Sequence, residues 1–368
     1  MIILEPRKSV APFLKVLVPI IAILITLVFG AIIFGILGYR PLEALYVFFL
    51  SPLSRLDQIA DLFVKACPLI IIGTGLVFCF RANVWNIGAE GQLILGAVVS
   101  GGIALQFEGV ETSWLLILMG IGGFLGGAFW ALIPGILKVK FRTNEILVSL
   151  MLTYVAALFI DWLVRGPWRD PKSFGFPLTK YFPEGGIISP IILPYVGKLG
   201  QLHWGVIFSI FIAIFGWFIY SKTLAGFQVK ILGSATKATK FSGFNPNLIT
   251  VSVLCFGGGL AGLAGMIEVS ANIGQLQPNI SFGYGFTAII VAFLARLNPL
   301  AVVIAALVVA LAELGGDAAQ IHMSIPKVVT GLFKGLLLFT LLAGETWTNY
   351  KISFDFKRNK STHRKSNV

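Results

Sequence analysis

The stretch FRANVWNIGAEGQLILGA, residues 80–97, interrupts a chain that is otherwise mostly apolar. Arg81, Asn83, Trp85, Asn86, Glu90 and Gln92 stand here together, and the apolar run on each side is long enough to enter a bilayer. Amide and carboxyl groups are costly in hydrocarbon unless another group satisfies them. The stretch therefore predicts a polar break between two membrane-embedded segments, with Gly88 and Gly91 loosening the helix.

The rest of the chain supplies the context. Of 368 residues, 57% are hydrophobic and 12% charged, and the mean hydropathy is +0.90. Soluble domains carry about a quarter charged residues, so a soluble globular fold is excluded. Apolar runs predict an all-α, polytopic transmembrane helical bundle of about ten spans, some short or broken. They lie near 14–37, 59–80, 88–106, 114–137, 146–164, 204–220, 248–270, 285–296, 299–314 and 327–343. The eighth is too short to cross unaided. Arg7, Lys8 and Lys15 precede a first run longer than a signal-peptide core and without a cleavage site, which reads as a retained span.

The net charge of +12 is distributed as membrane topology requires, not as a nucleic-acid footprint. Lys138, Lys140 and Arg142 occupy one short loop, and Lys222, Lys230, Lys237 and Lys240 another. With the C-terminal KRNKSTHRKSNV they fall on one side if both termini are cytoplasmic, and ten spans close that parity. Residues 351–368 then form a basic cytoplasmic tail. The Pro- and Gly-containing loop 165–203 becomes an irregular outer cap.

Little enzymatic chemistry is available. Cys67, Cys79 and Cys255 lack CxxC spacing and read as small buried apolar groups. His203, His322 and His363 are far apart, so no metal site is expected. No GxxxxGK[ST] occurs, and the glycine runs GIGGFLGGAFW and GGGLAGLAG place small residues at the four-residue spacing of close helix packing. Glu268, Glu313, Asp317 and Lys334 are further ionisable groups in or near spans, either functional or paired at an interface. Glu90 stands apart because of the amides around it. Two roles fit it: lining a passage or gate with Asn83, Trp85, Asn86 and Gln92, or capping backbone amides at a helix start.

A second stretch, VKILGSATKATKFSGFNPNLI at 229–249, is short, basic and moderately amphipathic, and reads as a surface helix ended by Gly243. The two stretches together resemble permease subunits of ABC importers of the branched-chain amino acid, ribose and nucleoside type. NVWNIGAEGQLILGA is similar to the signature segment of that family, closest to nucleoside (guanosine-type) permeases. ILGSATKATKFSGFN resembles its cytoplasmic coupling segment, matched in kind at Gly233, Ala238, Lys240, Gly243 and Asn245, which with Lys237 would make up the coupling residues. Ala235 and Thr236 replace the usual Asn-Pro, and Thr239 replaces the second Ala.

The resemblance implies a permease domain over 1–350 with its coupling segment at 226–247, in a multi-pass protein of the bacterial inner membrane. It implies no cofactor on this chain, with ATP and Mg on partner ATPase subunits. The other implied partners are a second permease subunit, homologous or identical, an extracytoplasmic solute-binding protein and membrane lipids, but no nucleic acid. Nucleosides are the favoured cargo, then simple sugars such as ribose, then branched-chain amino acids. The alternative is an ion-coupled secondary transporter acting alone, with Glu90 or Glu313 carrying a proton.

Overall fold

Every predicted apolar run is helical in the computed structural model, which describes residues 2–6, 12–109, 111–112, 114–193 and 197–354. The predicted tail beyond 354, with Arg7 and Lys8, lies outside the described residues. In order the helices are α1 (Pro12–Ile36), α2 (Pro41–Phe49), α3 (Leu56–Arg81), α4 (Ala89–Gln106), α5 (Trp114–Phe141), α6 (Glu145–Arg165), α7 (Trp204–Lys222), α8 (Leu224–Ser234), α9 (Thr236–Phe241), α10 (Pro246–Ile267), α11 (Tyr284–Leu294), α12 (Ala301–Met323) and α13 (Val328–Asn349). A π-helix, Glu268–Ile273, extends α10. Two short antiparallel pairs complete the described residues: β1 (Ile2–Pro6) with β4 (Tyr350–Phe354), and β2 (Pro190–Leu193) with β3 (Gly197–His203).

Six helices, α3, α5, α6, α7, the extended α10 and α12, are long and apolar enough to cross a membrane. The expected polytopic helical bundle is therefore present, but among the described residues the independent crossings established by length and composition number six. The other predicted runs are α1, α4, α11 and α13. At 11 residues α11 rises only about 16 Å, half of a hydrocarbon core.

Burial sorts the helices. In α3, 89% of the most apolar window is buried, against 28% in α6, so α3 is the central post and α6 a peripheral one. On α6, Leu147, Met151, Tyr154, Val155, Leu158 and Trp162 all face outward, a surface that only lipid or another apolar partner can cover. The glycine runs hold the centre together as expected. A Cβ at Gly262 would strike the Gly123 carbonyl and lie 2.8 Å from Gly127 Cα, and one at Gly96 would strike Gly262. Backbones of α4, α5 and α10 thus touch where side chains would forbid it, and dispersion at that range replaces the missing hydrophobic drive.

Helix α2 is absent from the sequence expectations because it is short, preceded by Arg40 and carries Glu43 in its first turn. It tucks Ala44 and Phe48 fully out of solvent against α12, and Phe48 stacks on Phe333 at 4.9 Å between ring centroids.

Two ends can be told apart by contacts. At one, the 165–203 loop covers α10 and α4: Thr179 N–H donates to Leu276 O, Phe182 N–H to Gly274 O, and Lys180 pairs with Glu108. That loop covers this end of the bundle and, beyond the irregular course expected, carries a small hairpin of β2 and β3. At the other, the end of α3 meets α8, the α5–α6 turn and the end of α11. Lys138, Lys140, Arg142, Lys222, Lys230, Lys237 and Lys240 belong to this second end.

Candidate functional site

The polar break is real, and its geometry explains its composition. At the end of α3 the Arg81 guanidinium donates to Leu297 O at 2.9 Å and Arg296 O at 3.2 Å. Asn83 turns the chain with a left-handed φ of +56°, which its short polar side chain tolerates better than most, and it is exposed. Trp85, 38% exposed, stacks beside Phe80 and Phe293, while its backbone N–H donates to Glu145 Oε1 at 3.4 Å. Glu145 also pairs with Lys138, tying the break to the α5–α6 turn.

Asn86 and Gln92 are buried and satisfy each other. Asn86 Nδ2 donates to Gln92 Oε1 at 2.8 Å, Gln92 Nε2 returns a bond to Asn86 Oδ1 at 2.9 Å, and Gly88 N–H donates to the same oxygen. The expectation that Gly88 and Gly91 loosen the helix is corrected. Gly88 is the N-cap of α4 and Gly91 lies within an unbroken α4. A Cβ at Gly88 would lie 2.8 Å from Ser149, and one at Gly91 2.7 Å from Thr153 Cα, so both glycines admit α6.

Glu90 sits one residue into α4 and is 6% exposed. Its carboxyl oxygens accept from Gly283 N–H at 3.2 Å and Gly285 N–H at 2.6 Å, the opening turn of α11. The capping role is thus realised, on a different helix from the one that carries Glu90. The first N–H groups of a helix have no internal partner, so an acceptor supplied from outside lets that end be buried. Gly283, at φ +89°, makes the turn, and a Cβ at Gly285 would strike the Glu90 backbone.

Two interrupted helices therefore meet N-terminus to N-terminus and run in opposite directions: α3–break–α4 from one end, α10–break–α11 from the other. After the π-helix and Gly274 (φ +77°), residues 275–283 descend without helical structure. Leu276 packs on Gly101, eleven residues above Glu90 on α4, so the descent covers about 17 Å.

Beside this junction the remaining ionisable groups pair. Lys334 Nζ reaches Glu313 Oε1 and donates to Thr287 Oγ1 of α11 at 3.2 Å. One turn along α12, Asp317 bridges Lys65 at 3.3 Å and Lys327 at 2.9 Å. Glu268 is buried and accepts from Asn272 Nδ2 at 2.9 Å. All four groups singled out with Glu90 thus have a polar partner.

The second stretch is two helices, not one. Ala235, extended at ψ +106°, separates α8 from α9 and stands as an N-cap without a side-chain acceptor, at the place of the usual Asn. Gly243, at φ +80°, ends α9 as expected. Asn245 caps α10, accepting from Asn247 N–H at 3.0 Å. A Cβ at Gly233 would strike Arg81 O, so this glycine lets α8 touch the end of α3 beside the break. Lys237, Ala238 and Lys240 are exposed on α9.

Sequence reading missed Phe241, which is 92% exposed at the tip of α9, and the Gly283–Gly285 turn that Glu90 caps. A phenylalanine between basic and polar residues carries a visible signal. The Gly283 pairing is 193 residues distant in sequence and carries none.

The family described as Branched-chain amino acid transport system / permease component matches residues 58–342. The glucose ABC transporter permease protein TsgB13 of Haloferax volcanii is 30% identical over 360 residues, 96% of this chain and 94% of that protein. The guanosine ABC transporter permease protein NupP of Bacillus subtilis is 27% identical over 323 residues, 88% and 91% of the two chains. The nucleoside ABC transporter permease protein NupB of Lactococcus lactis is 26% identical over 331 residues, 88% and 90%. A bundle of lipid-length helices around two interrupted ones, with its charges paired inside, fits these matches along nearly its whole length, and the chain belongs to this permease family as a multi-pass membrane subunit of an ATP-driven importer, a transport component and not an enzyme.

Proposed function

We propose that this subunit forms half of a path for nucleosides, driven by ATP hydrolysis on separate cytoplasmic ATPase subunits and supplied by an extracytoplasmic solute-binding protein. The observation that carries the coupling part is α9. It holds Lys237, Ala238, Lys240 and a 92% exposed Phe241 free at the basic end, while Gly233 and Asn245 seat the flanking chain on α3 and α10. An exposed aromatic flanked by cations suits a groove on a partner protein. Force on α9 would pass through α8 to Arg81 and the break carrying Asn83, Trp85, Asn86, Glu90 and Gln92. That basic end is cytoplasmic in this reading, with both termini inside, ten segments traversing the bacterial inner membrane and the 165–203 cap facing the binding protein. A second permease chain covers the outward apolar faces.

The nucleoside assignment is supported by the 80–97 stretch and by two relatives that carry guanosine or nucleoside in their names. A sugar is the second reading, favoured by the glucose permease relative at 30% identity. Uptake of labelled guanosine, uridine, ribose and leucine by the reconstituted importer decides between them; ribose uptake without nucleoside uptake defeats the nucleoside assignment. Gly243→Asp and Lys240→Glu are expected to uncouple ATP hydrolysis from uptake with the protein still in the membrane. Normal uptake in both removes the coupling role. The chain purified alone into vesicles should move nothing, and gradient-driven accumulation there overturns the proposal.

A further inference from the structure

Helix α11 carries an aromatic row on a face that the bundle leaves uncovered. Phe282 just before it is 60% exposed and Phe286 is 39% exposed. Phe293 continues the face of Phe286, because a spacing of seven residues returns a helical side chain to one side, and Phe282 leads into it from ahead of the left-handed Gly283. Phe293 then stacks on Trp85 at 6.1 Å between ring centroids, and Trp85 is itself 38% exposed. The row starts near the level where Glu90 caps α11, deep in the bundle, and ends at the basic end beside Arg81 and Asn83.

Exposed phenylalanine in a membrane protein ordinarily faces lipid, and two observations argue against that here. The 275–283 segment entering the row is non-helical, with Asn279 exposed and Gln277 and Ser281 half-exposed. Irregular backbone and amide side chains at membrane depth persist only in protein or against a water-filled cavity. In addition, the Lys327 ammonium lies 5.0 Å from the centroid of the Phe282 ring while paired with Asp317, and both are partly exposed. A partly exposed ion pair over the first ring is costly against hydrocarbon and marks the aqueous side.

We propose that Phe282, Phe286, Phe293 and Trp85 form a stacking ladder along the solute path, taking the flat face of an uncharged ring-bearing cargo. Lys327, Asp317 and Asn279 meet its hydroxyl and amide groups at the upper end. In the nucleoside reading, on which this rests for the identity of the ring, the base passes from ring to ring. Every base has a π-face, so such a row is tolerant among bases while still holding the cargo in register. No covalent step is involved.

The experiment uses the complete importer and whichever labelled solute, guanosine, uridine or ribose, the parent complex takes up. Phe282→Leu and Phe286→Leu keep an apolar, lipid-compatible side chain and remove the π-face. Each should cut uptake at sub-saturating solute about tenfold, the loss of one stack, with Phe282→Trp retaining it and membrane levels unchanged. Parental uptake in both leucine variants overturns the ladder whatever the cargo. If the parent carries ribose alone, the nucleoside reading fails, while a leucine-variant loss of ribose uptake still supports the ladder with a sugar ring. As a readout independent of transport, Phe286→Cys should react with a membrane-impermeant maleimide above the parental background and be protected by solute. Lack of reaction from either side of the membrane places the row against lipid and overturns the proposal.

Discussion

Replacing Glu90 with alanine tests the junction on which the two interrupted helices depend. The substitution removes the acceptor of the Gly285 N–H and one of the two acceptors of the Gly283 N–H, which keeps Ser281 Oγ at 3.3 Å, in a position where the parent side chain is 6% exposed. A buried unsatisfied N–H costs about 1–3 kcal/mol, and the lost Glu90 bond to Gly283 adds about 1, for roughly 2–4 together. Relief of the buried carboxyl's own desolvation offsets part of this, leaving about 1–3 kcal/mol of destabilisation. At ~2 °C per kcal/mol for a chain of this size, thermal unfolding in detergent should begin about 2–6 °C lower. The effect should be local in origin. Amide hydrogen exchange in a peptide covering 283–287 should accelerate strongly, while the α5–α10 contact keeps its protection. Glu90→Gln retains one carbonyl acceptor and should fall about halfway between. Unchanged exchange at 283–287 in Glu90→Ala, with unfolding temperature also unchanged, would refute the capping geometry.

Three further outcomes follow from the packing and charge arrangement. Gly262→Leu should abolish stable membrane accumulation, because its Cβ already strikes the Gly123 carbonyl, at a cost of about 1–3 kcal/mol or more; Gly335→Ala, where nothing lies within 4 Å, should be neutral or stabilising by roughly 0.5–1 kcal/mol, and immunoblots of membranes compare them. Lys334→Met should destabilise by about 3–5 kcal/mol by stranding Glu313, while the double variant Lys334→Met/Glu313→Leu should recover most of that in thermal unfolding; no recovery would show that the pair is not an isolated unit. Burial pushes the His203 imidazole down to about 4 from its usual 6.5, so the unfolded chain takes up this proton first, and stability present above pH 6.5 is lost as pH falls toward 4. His203→Asn, which still offers an acceptor to Gly205 N–H, should flatten that part of the dependence in unfolding scans between pH 7.5 and 4.5.

The positions of the long apolar helices, the close-packing glycines, the break at 81–92, the short α11 and the end of α9 at Gly243 were legible from sequence, whereas α2 and the split between α8 and α9 were not. Each legible feature rests on a local regularity: apolar run length against bilayer thickness, four-residue small spacing, or a glycine where the chain must turn left-handed. The tertiary structure alone decided what Glu90 does. Its partners at Gly283 and Gly285 lie on a helix that the chain reaches only after five long helices have been laid down, and nothing near Glu90 in sequence encodes them. The same holds for the glycines at 88 and 91, which read as helix looseners until α6 is seen lying on them, and for Gly233, whose reason is the Arg81 carbonyl. Periodicity reports what one helix needs on each face. Which helix supplies it is settled by how the bundle closes, and that depends on backbone approaches that no single segment contains.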